Sequence, residues 1–190
     1  MTTIAVVKKG GVAAIAADTL TKWGSGKESA EYIVNNEKIL RVGGSYVAVT
    51  GNATFKLILR DYFSEFASEV HLGTPVEIFK SWNRMHTVLK ERYFLLPEED
   101  KEDGLESSRM DVLIANANGV FGVSGHRTVQ EFSRFYAYGS GSDYALGAMW
   151  VSYRQNLSAS QIARKAVEAA AEFDDATGLP IQCFTVRLRK

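Results

Sequence analysis

Threonine at position 2, aspartate at 18 and lysine at 38 are the residues whose types and spacing could do covalent chemistry. The chain opens MTTIAVV, so two threonines follow the first methionine with no slack before the apolar run Ile4–Val7. Methionine ahead of a small residue is expected to be removed, which would make Thr2 the first residue. Its hydroxyl and its α-amine would then share one residue. A threonine hydroxyl alone is a weak nucleophile, and an adjacent amine activates it. An α-amine with a pKa of ~7.7–8.0 can accept a proton near neutrality. Such a site needs an ordered terminus, and termini fray unless tied down. Asp18 follows Ala16-Ala17 at the end of the second apolar run, where a hairpin returns past the terminus. Lys38 opens the next hairpin. A lysine held near an aspartate and a hydroxyl can accept a proton or polarise the oxygen, and burial tunes its pKa downward. Gly51 ends a strand at Val-Thr-Gly, where a backbone N–H could face a developing oxyanion.

These residues need a frame, and the patterning supplies one. Ile4–Val7 and Val12–Ala16 flank Lys8-Lys9-Gly10-Gly11, a hairpin signature. Residues 19–36 read as a polar loop with one short strand at Tyr32–Val34. Lys38–Val42 and Tyr46–Thr50 form a second hairpin around Gly43-Gly44. The period then becomes helical at Phe55, Ile58/Leu59, Tyr62, Phe66 and Val70. A second helix opens at Thr74-Pro75-Val76-Glu77, a capping box with proline at the first helical position. Its stripe is Ile78, Trp82, Met85, Leu89 and Tyr93, and Pro97 is expected to end it. Strands resume at Val112–Ala117, Val120–Val123, Thr128–Ser133 and Phe135–Tyr138, with Asn118-Gly119 as a hairpin turn. Helices follow at Tyr144–Gln155 and, capped by Ser158 and Gln161, to about Phe173. A strand at Ile181–Leu188 closes the chain. Strands, two helices, strands, two helices and a strand make an α+β fold. Each helix pair has one apolar stripe and needs one sheet face, so the economical packing is four layers: helices, sheet, sheet, helices.

Totals bound the function. A chain of 190 residues suits a single domain, taken as 1–190. Twenty-two basic residues balance twenty-two acidic ones, which gives no general attraction to nucleic acid or an anionic membrane. The one cysteine, Cys183, excludes a disulfide framework and reads as a small buried hydrophobe on a strand. His71, His86 and His126 form no HExxH-type pair, and no side-chain cluster demands a metal. No stretch approaches the ~18 apolar residues of a membrane span, and the start lacks a signal peptide, so a cytoplasmic protein is expected. Gly139-Ser140-Gly141-Ser142 lacks the lysine and spacing of a phosphate loop. Residues 97–106, PEEDKEDGLE, hold six acids and one lysine.

TTIAVV, AIAAD with Asp18, EKI with Lys38, VTGNA with Gly51, YGSGSDYA with Ser140, and FDDATG with Asp174 and Thr177 occur in this order. On these six marks the chain resembles a proteasome β-type subunit over essentially its whole length. Such subunits are N-terminal nucleophile hydrolases. The nearest branch is the bacterial one containing the heat-shock-locus V protease, and the features suggest the betaproteobacterial proteasome homologue. The resemblance implies an αββα sandwich of two mainly antiparallel sheets, in agreement with the layering above. It implies that Thr2 is the nucleophile of a threonine endopeptidase, activated by Lys38 and Asp18. Gly51 matches the oxyanion donor. Ser140, Asp174 and Thr177 match the groups that hold the amine and its water.

Lys22 stands in the substrate-binding strand where most members carry threonine. The loop between Asp18 and Lys38 is a few residues longer than usual. By register, Val49 and Ala53 would line the pocket for the residue before the cut bond, which points to an apolar preference. No cofactor is implied. Backbone carbonyls of Ala171, Asp174 and Thr177 could hold a structural sodium or magnesium ion. Expected partners are copies of the chain in stacked six- or seven-fold rings, a peptide or unfolded protein as substrate, and an AAA+ unfoldase. Glu98–Glu106 would form an acidic collar near the ring axis. Two other readings are a ring subunit of the same fold without chemistry, and a small-amide hydrolase. The first is disfavoured because Thr2, Asp18, Lys38 and Asp174 occur together.

Overall fold

The structure, a computed structural model, describes residues 2–96 and 104–189. The predicted layering is present. Strands β1 (Thr3–Lys9), β2 (Val12–Asp18), β10 (Phe135–Gly139) and β11 (Ile181–Arg187) form one antiparallel sheet in the order β10-β1-β2-β11. Strands β5 (Ile39–Val42), β6 (Ser45–Val49), β7 (Val112–Asn116), β8 (Gly119–Val123) and β9 (Val129–Phe132) form the second, in chain order. Helices α1 (Phe55–Glu65) and α2 (Pro75–Arg92) cover the second sheet, and α3 (Ser142–Ser152) and α4 (Ala159–Phe173) cover the first.

Strand periodicity sorts the core into three apolar layers, because successive side chains point to opposite faces. Ile4, Val6, Ala13, Ile15 and Ala17 meet Ile39, Ala48, Leu113 and Ala115 between the sheets. Their alternates Ala5, Val7, Ala14 and Ala16 face α3 and α4. Val47, Val49, Val112 and Ile114 face α1 and α2, where the predicted stripe Ile78, Trp82, Met85 and Leu89 is buried. Strands with both faces covered read as continuous apolar runs, which is why AVV and VAAIAA lack a polar alternation.

Several local expectations are corrected. The polar stretch after Asp18 contains a small hairpin, β3 (Thr21–Trp23) with β4 (Gly26–Glu28), and Tyr32–Val34 is not a strand. Its residues are too polar and exposed to announce themselves by pattern. The turn between β7 and β8 is centred on Ala117-Asn118, one residue earlier than Asn118-Gly119, since Asn116 pairs with Gly119. The Asn116 side-chain oxygen accepts the Asn118 and Gly119 amides at 2.9 and 3.2 Å, and this fixes the earlier register. Thr74 accepts the Glu77 amide, but the Glu77 carboxylate accepts from the Thr74 hydroxyl rather than from a backbone amide. Ser158 and Gln161 do form the full reciprocal box. Cys183 is half-buried rather than buried, because β11 is an edge strand; burial still pushes its thiol pKa up.

Of the expected acidic collar, residues 98–103 lie outside the described residues. Glu106 is not a free collar charge: its carboxylate takes Lys90 at 2.6 and 2.7 Å and His86 Nε2 at 3.0 Å. His86 Nδ1 meets Ser108 Oγ at 2.8 Å. This cluster ties the stretch before β7 to α2.

The inter-sheet layer predicts its own test. Ile15→Ala empties a fully buried position facing β5–β7. It should cost ~2–5 kcal/mol, read as a lower urea midpoint at unchanged slope. A loss under ~1 kcal/mol would mean that this layer is not close-packed.

Candidate active site

One end of the sandwich gathers the candidate residues. Antiparallel pairing places the start of β1, the ends of β2 and β10 and the start of β11 side by side: Ile4 opposite Ala17, Thr3 opposite Gly139, and Ile181 opposite Asp18. Lys38 precedes β5, and the Lys38 carbonyl takes the Val49 amide at 3.3 Å, so Gly51 follows on the same end.

Asp18 is fully buried, and its carboxylate organises the group. Oδ1 accepts the Thr2 hydroxyl at 2.7 Å, the Thr3 amide at 3.0 Å and Lys38 Nζ at 2.9 Å. Oδ2 accepts the amides of Leu20 at 3.0 Å and Gly178 at 3.2 Å. Lys38 Nζ also donates to Thr2 Oγ1 and to the Leu20 carbonyl. Thr2 itself is buried, only 3% exposed. Burial pushes the Lys38 pKa below its ordinary value, against the opposing pull of Asp18. A lysine so shifted carries a larger neutral fraction and can take a proton.

Ser140 joins Thr2 to Asp174. The Ser140 amide donates to the Thr2 carbonyl at 3.0 Å, and Ser140 Oγ donates to Asp174 Oδ2 at 2.7 Å. Thr177 Oγ1 donates to the same oxygen at 2.5 Å and meets Thr3 Oγ1 at 2.6 Å. Thr2, Asp18, Lys38, Ser140, Asp174 and Thr177 are therefore one connected hydrogen-bond network.

A pocket of about 210 Å³ opens beside Thr2. Val49 and Ala53 line it, together with Gly51, Lys22, Leu20, Trp23 and Lys56. Gly51 has φ +107, and a Cβ there would lie 2.8 Å from the Arg109 carbonyl, so only glycine fits. Strand β3, which carries Lys22, pairs with β4 on one side and with no other strand among the described residues. Its free edge can take an extended peptide by strand addition. Lys22 Nζ is held by the Asp175 carboxylate.

Of the three carbonyls suggested for a cation, that of Asp174 accepts the Thr177 amide at 3.2 Å. A carbonyl oxygen has two lone pairs, so this bond still leaves room for an ion. Among the described residues no cluster of His, Cys, Asp or Glu could hold a metal, and no helix is long and apolar enough to cross a membrane.

Sequence reasoning missed Thr3, Asp175, Gly178 and Lys56. Thr3 and Gly178 act through backbone amides on Asp18, which no residue type signals. Lys56 enters from the first turn of α1, and only the fold brings that turn to the pocket.

No family model matches the chain. Among solved structures, Thiobacillus denitrificans BPH in complex with epoxomicin superposes with a TM-score of 0.94 at 59% identity, over 99% of this chain and 100% of that one. The chain belongs to the bacterial proteasome-type protease subunits. A curated family relative, the ATP-dependent protease subunit HslV of Bartonella quintana (strain Toulouse), is 28% identical over 178 residues, covering 90% of this chain and 81% of that protein. Eukaryotic HslV from Trypanosoma brucei shares the fold at a TM-score of 0.68 and 18% identity, over 97% and 99% of the two chains. As a member of this family the chain is a peptidase subunit of a ring-forming homo-oligomer.

The placement of Thr2 has its own test. Gly139 has φ +107, and a Cβ there would fall 1.9 Å from the Thr2 carbonyl oxygen. Gly139→Ala must displace Thr2, and a displacement near 1 Å costs ~10²-fold in rate. Peptide hydrolysis by this variant should fall by at least that factor. Wild-type kcat/KM would contradict the placement.

Proposed function

We propose that this subunit is an endopeptidase whose nucleophile is Thr2, freed as the N-terminal residue by removal of Met1. The supporting observation is the Thr2 hydroxyl held between the Asp18 carboxylate and Lys38 Nζ. That a relative 59% identical was solved with epoxomicin supports the same reading.

The substrate lies as an extended strand along β3, with the scissile carbonyl carbon over Thr2 Oγ1. Once Lys38 Nζ has given up a proton, which its lowered pKa favours, the Thr2 hydroxyl turns from Asp18 to it, and Oγ1 attacks the carbonyl carbon as its proton passes to Nζ. The carbonyl oxygen becomes an oxyanion facing the Gly51 N–H. As the tetrahedral centre collapses, the C–N bond breaks and the departing nitrogen takes the proton that Lys38 Nζ received. An ester between Thr2 and the acyl half remains. Water then attacks this ester with the Thr2 α-amine as base, releasing a carboxylic acid and restoring the hydroxyl. Asp18 keeps Lys38 oriented and Thr2 fixed. Ser140, Asp174 and Thr177 hold the amine side and its water. A cation on the Ala171, Asp174 and Thr177 carbonyls would brace this turn and takes no part in the chemistry.

Copies assemble into stacked six- or seven-fold rings in the cytoplasm with the sites inside. By analogy with the ATP-dependent HslV relatives, an AAA+ unfoldase delivers unfolded protein.

Thr2→Ala should abolish peptide hydrolysis, while Thr2→Ser, which keeps hydroxyl and amine on one residue, should retain part of it. Turnover by Thr2→Ala would overturn the reading. Lys38→Arg keeps the positive charge but cannot release a proton. Its kcat/KM should fall ~10²–10⁴-fold, and a loss below tenfold would remove Lys38 as the proton acceptor.

A further inference from the structure

Lys22, Lys38 and Lys56 all line the pocket beside Thr2, and among the described residues no carboxylate does. Two of these cations are answered: Lys38 by Asp18, and Lys22 by Asp175. Lys56 is different. Its Nζ donates to the backbone carbonyl of Asn35, a neutral acceptor on the long loop between Asp18 and Lys38. Glu37 and Glu28 act on it from a distance, but the Glu37 carboxylate already accepts from Arg60 at 3.1 Å. Burial first, and then the Arg60 cation, outweigh both acids and push the Lys56 pKa down. The Lys56 charge in turn reaches the reacting group, helping to lower the pKa of Lys38. An ammonium on the pocket wall is thus short of negative charge.

We propose that Lys56 makes this pocket select an acidic side chain, of glutamate type, on the residue whose carbonyl Thr2 attacks. The inference rests on the threonine-peptidase reading above. Val49, Ala53 and Leu20 offer apolar wall to the methylenes of such a side chain, within about 210 Å³. Its carboxylate meets Lys56, where a hydrogen bond between two ionised groups is about twice as strong as a neutral one. A glutamine fills the same space without charge, and a lysine is repelled. Val49 and Ala53 alone suggested an apolar preference; the first turn of α1 adds the charge. The Asn35 carbonyl holds the ammonium, which gives the lengthened loop a role in specificity.

The test uses the full assembled protein and peptides identical except for Glu, Gln or Lys before the cleaved bond. Wild type should favour Glu over Gln about tenfold in kcat/KM, with Lys last, and the advantage should shrink with added salt. Lys56→Met should bring the Glu/Gln ratio to about one, Lys56→Arg should keep it above one, and Lys56→Glu should favour Lys. A wild-type ratio at or below one, or one that survives Lys56→Met, overturns the assignment. A binding arm separates this from the peptidase reading. Labelled peptides ending in Glu or Gln are titrated against the Thr2→Ala protein by fluorescence anisotropy. Tighter binding of the Glu-ended peptide, lost in Thr2→Ala with Lys56→Met, supports the assignment even if no peptide is cleaved. Equal binding overturns it.

Discussion

The buried carboxylate of Asp18 is the constraint on which the site depends. It is fully withdrawn from water and takes donors from Thr2, Thr3, Lys38, Leu20 and Gly178. An isolated buried charge would be prohibitive, so the carboxylate is tolerable only because both oxygens are saturated. The reverse also holds. Lys38 is buried and shifted downward, and Asp18 supplies the opposing pull. Removing either partner would leave the other charge uncompensated, a change that costs several kcal/mol in buried pairs.

The sandwich exists around this cluster in a specific sense. Five donors can converge on one carboxylate only if separate segments end together. The antiparallel pairings of β1 with β2 and β10, and of β2 with β11, bring four strand ends to one edge. The two sheets then stack through Ile4, Val6, Ile15, Ile39 and Leu113, which carries Lys38 of the second sheet over Thr2 of the first. The candidate groups therefore sit at strand ends braced by close-packed layers, where a small displacement is resisted from several sides.

What could be read from the residues follows from how local the causes are. The apolar runs of β1 and β2, the stripe from Ile78 to Leu89 and the Ser158–Gln161 box are set by nearest neighbours and were legible. Asp18 and Lys38 were legible because few reasons place either type at the end of a buried strand. The β3–β4 hairpin was not, since exposed polar strands carry no alternation. The β7–β8 turn slipped by one residue because the Asn116 side chain overrides the Asn-Gly preference. Glu106 read as part of a solvated acidic run until the fold set His86 and Lys90 against it. Lys56 could not be read at all: its distance to Thr2 is a property of how α1 sits on the second sheet.

The central claim is that one residue supplies both the attacking oxygen and the nitrogen that handles its proton. An epoxyketone reports this directly, because stable addition needs a hydroxyl and a free amine on the same residue. The active protein should be treated with such a compound, digested and examined by mass spectrometry. The account predicts one adduct per subunit, on an N-terminal peptide that begins at Thr2. An adduct elsewhere, or an active protein that retains Met1 and leaves Thr2 unmodified, would contradict it.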